Sequence, residues 1–462
     1  MLKSATGLAL ALAASALAQQ HDHSAAPQDT APAPLLVGLG HLHRPISTSN
    51  PTVQRYFDQG LTLIYGFNYD EALRSLGYAT TLDPKCAMLY WGIALAQGPN
   101  YNEWVIDPAR EKMAAESIQK AVALAAGATR AEQAYIRALA QRFSADPKAD
   151  QTKLGEGYRD AMRELMRSNP NDLDAAILFA DAQMDLHAWN LWKRDGTPEM
   201  GTLEAEHALE SVLQRDPNNI GANHFYIHVM EGSPHPEQAM QSAQRMAGLA
   251  PGIGHLVHMP AHIYIRTGQY HNATVSNQQA IGADEGYIAK YHVSDSSMYK
   301  MMLYTHNMHF LVVTASLEGD FPQANRVALK MVRGMPATLR QLPDSDGFLT
   351  TPALVLVRFR RWAEIEQLPE PDRHRPVLHG VWRFARGMAF SGEGKLDQAA
   401  QERAAFASEV KSVPAERRSD TIAPRRYSRS RAGCWMPVSR GPRTTIPTPR
   451  RCSTKPRWPR MH

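Results

Sequence analysis

Residues 221–267 read GANHFYIHVMEGSPHPEQAMQSAQRMAGLAPGIGHLVHMPAHIYIRT. His224 and His228 are four residues apart, as are His258 and His262, and each member of the second pair follows its counterpart by 34 residues. A fixed interval of that size marks a helix–turn–helix unit stacked into a solenoid. Spacing of four puts both imidazoles of a pair on one helical face. The sequence therefore predicts an all-α solenoid of repeats with irregular inserts, and a histidine-rich surface shared by neighbouring units.

The same interval organises much of the chain. From Val53, the residues Gly60, Ala72, Leu76, Ala79 and Pro84 fall at the eighth, twentieth, twenty-fourth, twenty-seventh and thirty-second places of a 34-residue unit. Small residues let two antiparallel helices approach, and Asp83-Pro84 ends the second of them. Later units are expected at 220–253, 254–287, 305–338 and 380–413. Between the first unit at 53–86 and the unit at 220–253 the helices depart from the period. Residues 188–201 (AWNLWKRDGTPEMG), carrying Trp189 and Trp192, break it as a loop folded over the array. This pattern resembles the tetratricopeptide family, covering roughly residues 51–410. HFYIHVMEGSPHPEQA and GHLVHMPAHIYIRTGQY resemble a subgroup of bacterial exported members.

The resemblance implies that the first helix of each unit lines a concave groove through its second, fifth, ninth and twelfth places. By that register His224, His228 and Glu231 belong to one unit, His255, His258 and His262 to the next, and His306 and His309 to a third. Family behaviour implies a peptide or partner protein bound in this groove. Two readings of the histidines stay open. One is a hydrogen-bonded network that holds a peptide or small ligand. The other is a transition-metal binding protein or metal-dependent enzyme that holds Zn, Cu or Ni on His224, His228, His258 and His262, with Glu231 as ligand or base, since neutral imidazole suits those ions. Pro260 bears on both. It kinks a helix between His258 and His262 if that helix starts near Gly254, and it is a first-turn proline if the helix starts near His258.

The ends of the chain read differently. Residues 1–18 have Lys3, an apolar run at 7–14 and Ala16-Leu17-Ala18, the pattern of a secretory signal. A periplasmic or secreted protein is expected, with no stable membrane insertion. Residues 19–50, rich in Gln, His, Ala and Pro, read as a flexible linker, followed by the solenoid at 51–420. If cleavage follows Ala18, Gln19-Gln20-His21 could bind Cu(II) or Ni(II); an incidental histidine in a tail is the plainer reading. Residues 421–462 are a basic tail, out of frame or disordered. Residues 425–462 carry eleven Lys or Arg and no acid, and without them the net charge of +5 becomes −6. The basic balance thus belongs to the tail and implies no nucleic-acid partner. Three cysteines in an exported chain of 462 residues exclude a disulfide framework. There is no HExxH, GxSxG, phosphate loop or CxxC.

Overall fold

The structure, a computed structural model, describes residues 32–103, 108–146, 148–295, 297–336, 340 and 345–412. The segment read as a signal sequence, the Gln19-Gln20-His21 motif and the 421–462 tail lie outside these residues.

Helices pair in sequence order. The first unit is α1 (Pro51–Tyr65) and α2 (Tyr69–Leu82); α3 (Ala87–Gln97) to α8 (Thr202–Arg215) follow. Local chemistry sets their ends. The Asn50 side chain accepts from the Thr52 N–H at the start of α1, ahead of Pro51 at the first helical position. At α5 (Arg130–Leu139), Thr129 and Glu132 form a capping box. Gly60 lets α1 and α2 meet, because a Cβ there would lie 2.6 Å from Leu76 Cγ. Leu76 is 0 % exposed, and burying it fully contributes roughly 1.5–3 kcal/mol. Among the described residues there is no strand, only two isolated bridges. No described helix is long and apolar enough to cross a membrane.

Next come α9 (Ile220–Glu231), α10 (Met240–Leu249), α11 (Gly254–His258), α12 (Pro260–Arg266), α13 (Tyr270–Tyr291), α14 (Thr305–Glu318) and α15 (Phe321–Gly334). The helix that begins at Gly254 breaks at Met259, and Pro260 starts α12. The kinked version of the sequence reading is therefore the one adopted. A π-helical turn, Tyr299–Tyr304, runs directly into α14. Shorter helices complete the array, which ends in the pair Pro376–Gly392 and Leu396–Ser412.

The array curls tightly enough to meet itself. α1 packs against α9, and the Tyr287 hydroxyl of α13 donates to Glu71 Oε2 of α2 at 2.8 Å. Residues 32–50, expected to belong to a flexible linker, are instead an extended strap. Leu36 N–H donates to Gln59 Oε1, Gly252 N–H donates to Gly38 O, and Arg44 pairs with Asp172 and Asp174. The Arg44 guanidinium also lies 4.2 Å from the Tyr135 ring centre. The result is that the inner face of the curl, around α9 and α11, is an interior rather than an open groove.

Candidate metal centre

All eight groups singled out from the sequence lie on α9, α11, α12 and α14. Their placement differs from the expected open surface. His224, His228, His255, His258, His262 and His309 are between 0 and 6 % exposed, and His306 and Glu231 are partly buried. They are buried rather than open to solvent: Tyr65 at the end of α1 and Phe67 after it pack on the first trio, and Phe310 packs on the second. Nor do His224, His228, His258 and His262 form one four-ligand set. They divide between two trios, His224–His228–His255 and His258–His262–His306, and the ligand atoms within each trio lie within 4.8 Å of one another. His309 joins neither trio; its ring lies 5.5 Å from that of Phe348.

The outer nitrogens fix the protonation of four rings. His224 Nδ1 is 2.6 Å from the Tyr65 carbonyl, which can only accept. His228 Nδ1 and His262 Nδ1 approach the two oxygens of Glu231, at 2.8 and 2.6 Å. Burial disfavours the Glu231 carboxylate. The His262 ring, the two Nδ1–H bonds and the His228 ring outweigh it and hold that carboxyl well below the usual range. It is therefore ionised and accepts from both. His258 Nδ1 is 2.6 Å from Asn277 Oδ1, and the Asn277 amide is oriented by donating to Ala273 O at 2.7 Å. Each of these four rings thus carries its proton on Nδ1. In the neutral ring, Nε2 is then a bare lone pair.

Those lone pairs converge. His258 Nε2 lies 2.9 Å from His262 Nε2 and 3.0 Å from His306 Nε2, and His224 Nε2 lies 3.1 Å from His255 Nε2. Protons on Nε2 of His306 and of His255 would satisfy the second and third contacts. The first sets two acceptor nitrogens against each other and needs a positive species between them, a metal ion or a second proton on one ring. His228 Nε2 and His255 Nδ1 are buried with no partner at all. An added proton is a poor remedy at four of these rings. Burial, followed by neighbouring imidazoles, pushes the basicity of His224, His255, His258 and His306 well below the ordinary value. A metal cation is a good remedy. Nitrogens bound at ~2.0–2.1 Å to one tetrahedral ion lie about 3.3 Å apart. The Nδ1–H bonds to carboxylate, amide and carbonyl oxygens are the outer contacts that orient metal-bound histidines.

Aromatic rings wall the trios. Phe67 lies 4.6, 5.8 and 5.4 Å from His224, His228 and His255, and Tyr101 and Trp189 lie 4.9 and 6.1 Å from His228. Phe310 lies 4.6, 4.6 and 5.2 Å from His258, His262 and His306. Phe67 and Trp189 have φ of 59° and 61°, a left-handed conformation costly for bulky residues. The loop at 188–201 holds Trp189 there through Trp192, whose Nε1 donates to Val229 O of α9 at 2.6 Å. Sequence reasoning found the histidines and Glu231 but missed Tyr65, Phe67, Tyr101, Asn277 and Phe310. Tyr65, Phe67, Tyr101 and Asn277 belong to other helices or loops and follow no spacing relative to the histidines; Phe310 lies on α14 four residues after His306, a spacing that could have found it. Cys86 is buried, and burial pushes its thiol up to about 11.

No family model and no curated protein matches the chain. Among solved structures it is similar to the human IFIT1 dimer with PPP-AAAA, at 14 % identity and a TM-score of 0.41, over 77 % of this chain and 72 % of that one. It is similar to yeast Tom70 at 9 % identity and a TM-score of 0.28, over 84 % and 90 %. The TPR domain of P58(IPK) gives 14 % identity and a TM-score of 0.19, over 83 % and 98 %.

Proposed function

We propose that the protein is a transition-metal-binding repeat protein that holds two ions, one in each histidine trio, inside the curl of its solenoid. The observation that carries this reading is the 2.9 Å contact between His258 Nε2 and His262 Nε2, a distance at which two imidazole nitrogens can share one metal ion. Neutral imidazole donors select Zn, Cu or Ni over Mg or Ca. Three protein ligands leave a position open for water or a small molecule, as in catalytic rather than structural zinc sites. Glu231 is an outer carboxylate shared by the two trios, not a ligand or base.

Export to the periplasm, expected from residues 1–18, belongs to the same proposal and is checked by cell fractionation. The metal reading is tested on protein purified without a histidine tag. Elemental analysis is expected to find two transition-metal ions per chain. His224→Ala and His306→Ala should each lower the count to one, from different trios. A chain that takes up none of Zn, Cu or Ni at stoichiometric level, with its helical signal intact, overturns the proposal.

A further inference from the structure

The strap at residues 32–50 touches three parts of the array in turn, and the contacts lead to the first trio by two routes. It begins along α1, where Ala33 O accepts from the Tyr56 hydroxyl at 2.7 Å and Pro34 O from Gln59 Nε2 at 2.9 Å. It then crosses the turn that leads into α11, and Gly252 N–H donates to Gly38 O at 2.8 Å. Gly40 has φ of 79°, and a Cβ there would collide with Leu249 O. Only glycine fits both the left-handed backbone and so close an approach. The strap ends at Arg44. Its N–H donates to Asp58 Oδ1 at 3.0 Å and its carbonyl accepts from Gln54 Nε2 at 2.7 Å, both on α1. Its guanidinium reaches the start of α7 (Leu173–Asp185), donating to Asp174 Oδ2 at 2.5 Å and to Asp172 Oδ1 at 3.3 Å.

The first route runs through Asp174. Its other oxygen accepts from the Tyr65 hydroxyl at 2.8 Å, and the Tyr65 carbonyl accepts from His224 Nδ1 at 2.6 Å. Tyr65 is the last residue of α1, where carbonyls lack partners within the helix. It is therefore pinned at both ends, by its hydroxyl to the residue that Arg44 holds and by its carbonyl to a trio imidazole. The second route is shorter. From Gly252, held by the strap, the chain runs three residues to His255 of the same trio. The second trio is held from elsewhere. His258 Nδ1 is anchored at 2.6 Å by Asn277 of α13, and His262 Nδ1 at 2.6 Å by Glu231 of α9. His258 shares α11 with His255 but lies about one turn further from the strap.

We infer that residues 32–50 are a clasp that positions the first trio and sets its metal affinity, with Arg44 as the positioning residue. This rests on the metal reading above and says which of the two trios the strap governs. Linkage makes the effect reciprocal. An ion in the first trio fixes His224, and through Tyr65 and Asp174 it favours the closed strap.

The test separates the trios by removing one ligand, in full chain purified without a histidine tag. His306→Ala leaves the first trio whole and His224→Ala the second. Zn affinity is measured in each background by competition with a chromophoric chelator. Arg44→Gln and Gly40→Ala should each weaken Zn several-fold beside His306→Ala and leave it unchanged beside His224→Ala. Arg44→Lys keeps the charge that pairs both aspartates and should restore most of the loss. Zn should also protect the strap from limited proteolysis in the first background and not in the second. Equal weakening in both backgrounds, weakening in neither, or strap cleavage indifferent to Zn overturns the inference. A further readout needs no ion. In the proton NMR spectrum of the metal-free chain, Arg44→Gln should speed solvent exchange of the His224 Nδ1–H and spare that of His258. A change in both signals, or in neither, overturns the clasp. If no chain binds Zn, the metal reading fails and the exchange of these two protons still judges the clasp.

Discussion

At the scale of single residues, Glu231 is the most consequential side chain in the centre. Its two oxygens hold the Nδ1–H groups of His228 and His262, one from each trio. Glu231→Gln keeps the shape but replaces one acceptor oxygen with a donor, which faces an Nδ1–H and forces a ring to flip its tautomer. Metal affinity is expected to fall ~10–100-fold, as when other outer partners of metal-bound histidines are lost. Competition titration with a chromophoric chelator measures this, and unchanged affinity would show the carboxylate to be incidental. The histidines were legible because a 34-residue interval and a spacing of four are patterns within the chain. The grouping into trios was not. It depends on which helix face turns toward which neighbour, and on Asn277 and the Tyr65 carbonyl, whose roles leave no trace in spacing. The groove register placed His309 beside His306, but in the fold it points to Phe348.

At the scale of elements, the centre depends on how closely α11 approaches α13. A Cβ at Gly254 would lie 1.8 Å from Asp284 Oδ1 and 3.0 Å from the Ala280 backbone oxygen. Asp284 is fully buried and accepts from the Tyr299 hydroxyl and from Asn307 Nδ2, so it has little room to yield. Gly254→Ala should therefore push α11 outward and cost ~1–3 kcal/mol, the usual range for overpacking. His255 and His258 travel with α11, so both ions should bind more weakly; chemical denaturation and metal counting on one preparation test the two effects together. Pro260 marks where reading by sequence stops. It allowed a kink or a first-turn start, and only the packing of α11 and α12 against α9 and α13 selects the kink. The 188–201 loop was legible as a break over the array, but its pin from Trp192 to Val229 was not.

At the scale of the whole molecule, pH should act through buried acids. Burial pushes the Asp284 carboxyl up to about 7. Between the ordinary aspartate value and 7 the folded chain holds a proton there that the unfolded chain has lost, so stability falls as pH rises through that window. The loss approaches about 1.4 kcal/mol per pH unit and stops above 7. Buried histidines with lowered basicity act in the opposite sense, losing stability as pH falls below the ordinary imidazole value. The difference in unfolding free energy between Asp284→Asn and wild type removes their contribution. It should shift toward the variant from pH 4 to 7 and then level; a flat difference would mean the carboxyl is ionised throughout. The solenoid class was legible because repeats are local. The closure of the curl was not, because it joins residues as distant as Glu71 and Tyr287. The strap at 32–50 was misread for the same reason: its composition is that of a linker, and its order comes from contacts with α1, α7 and Gly252.

If the trios hold ions as proposed, the carboxylate they share sets how they fill. An ion in either trio fixes one imidazole against Glu231 and so fixes the carboxylate for the other imidazole. Ordering it once serves both, and the second ion meets a ring already aimed. Loading should therefore be cooperative. In a metal titration followed by native mass spectrometry, chains with zero and two ions should dominate, with few carrying one. Glu231→Gln should restore the binomial mixture expected of independent sites.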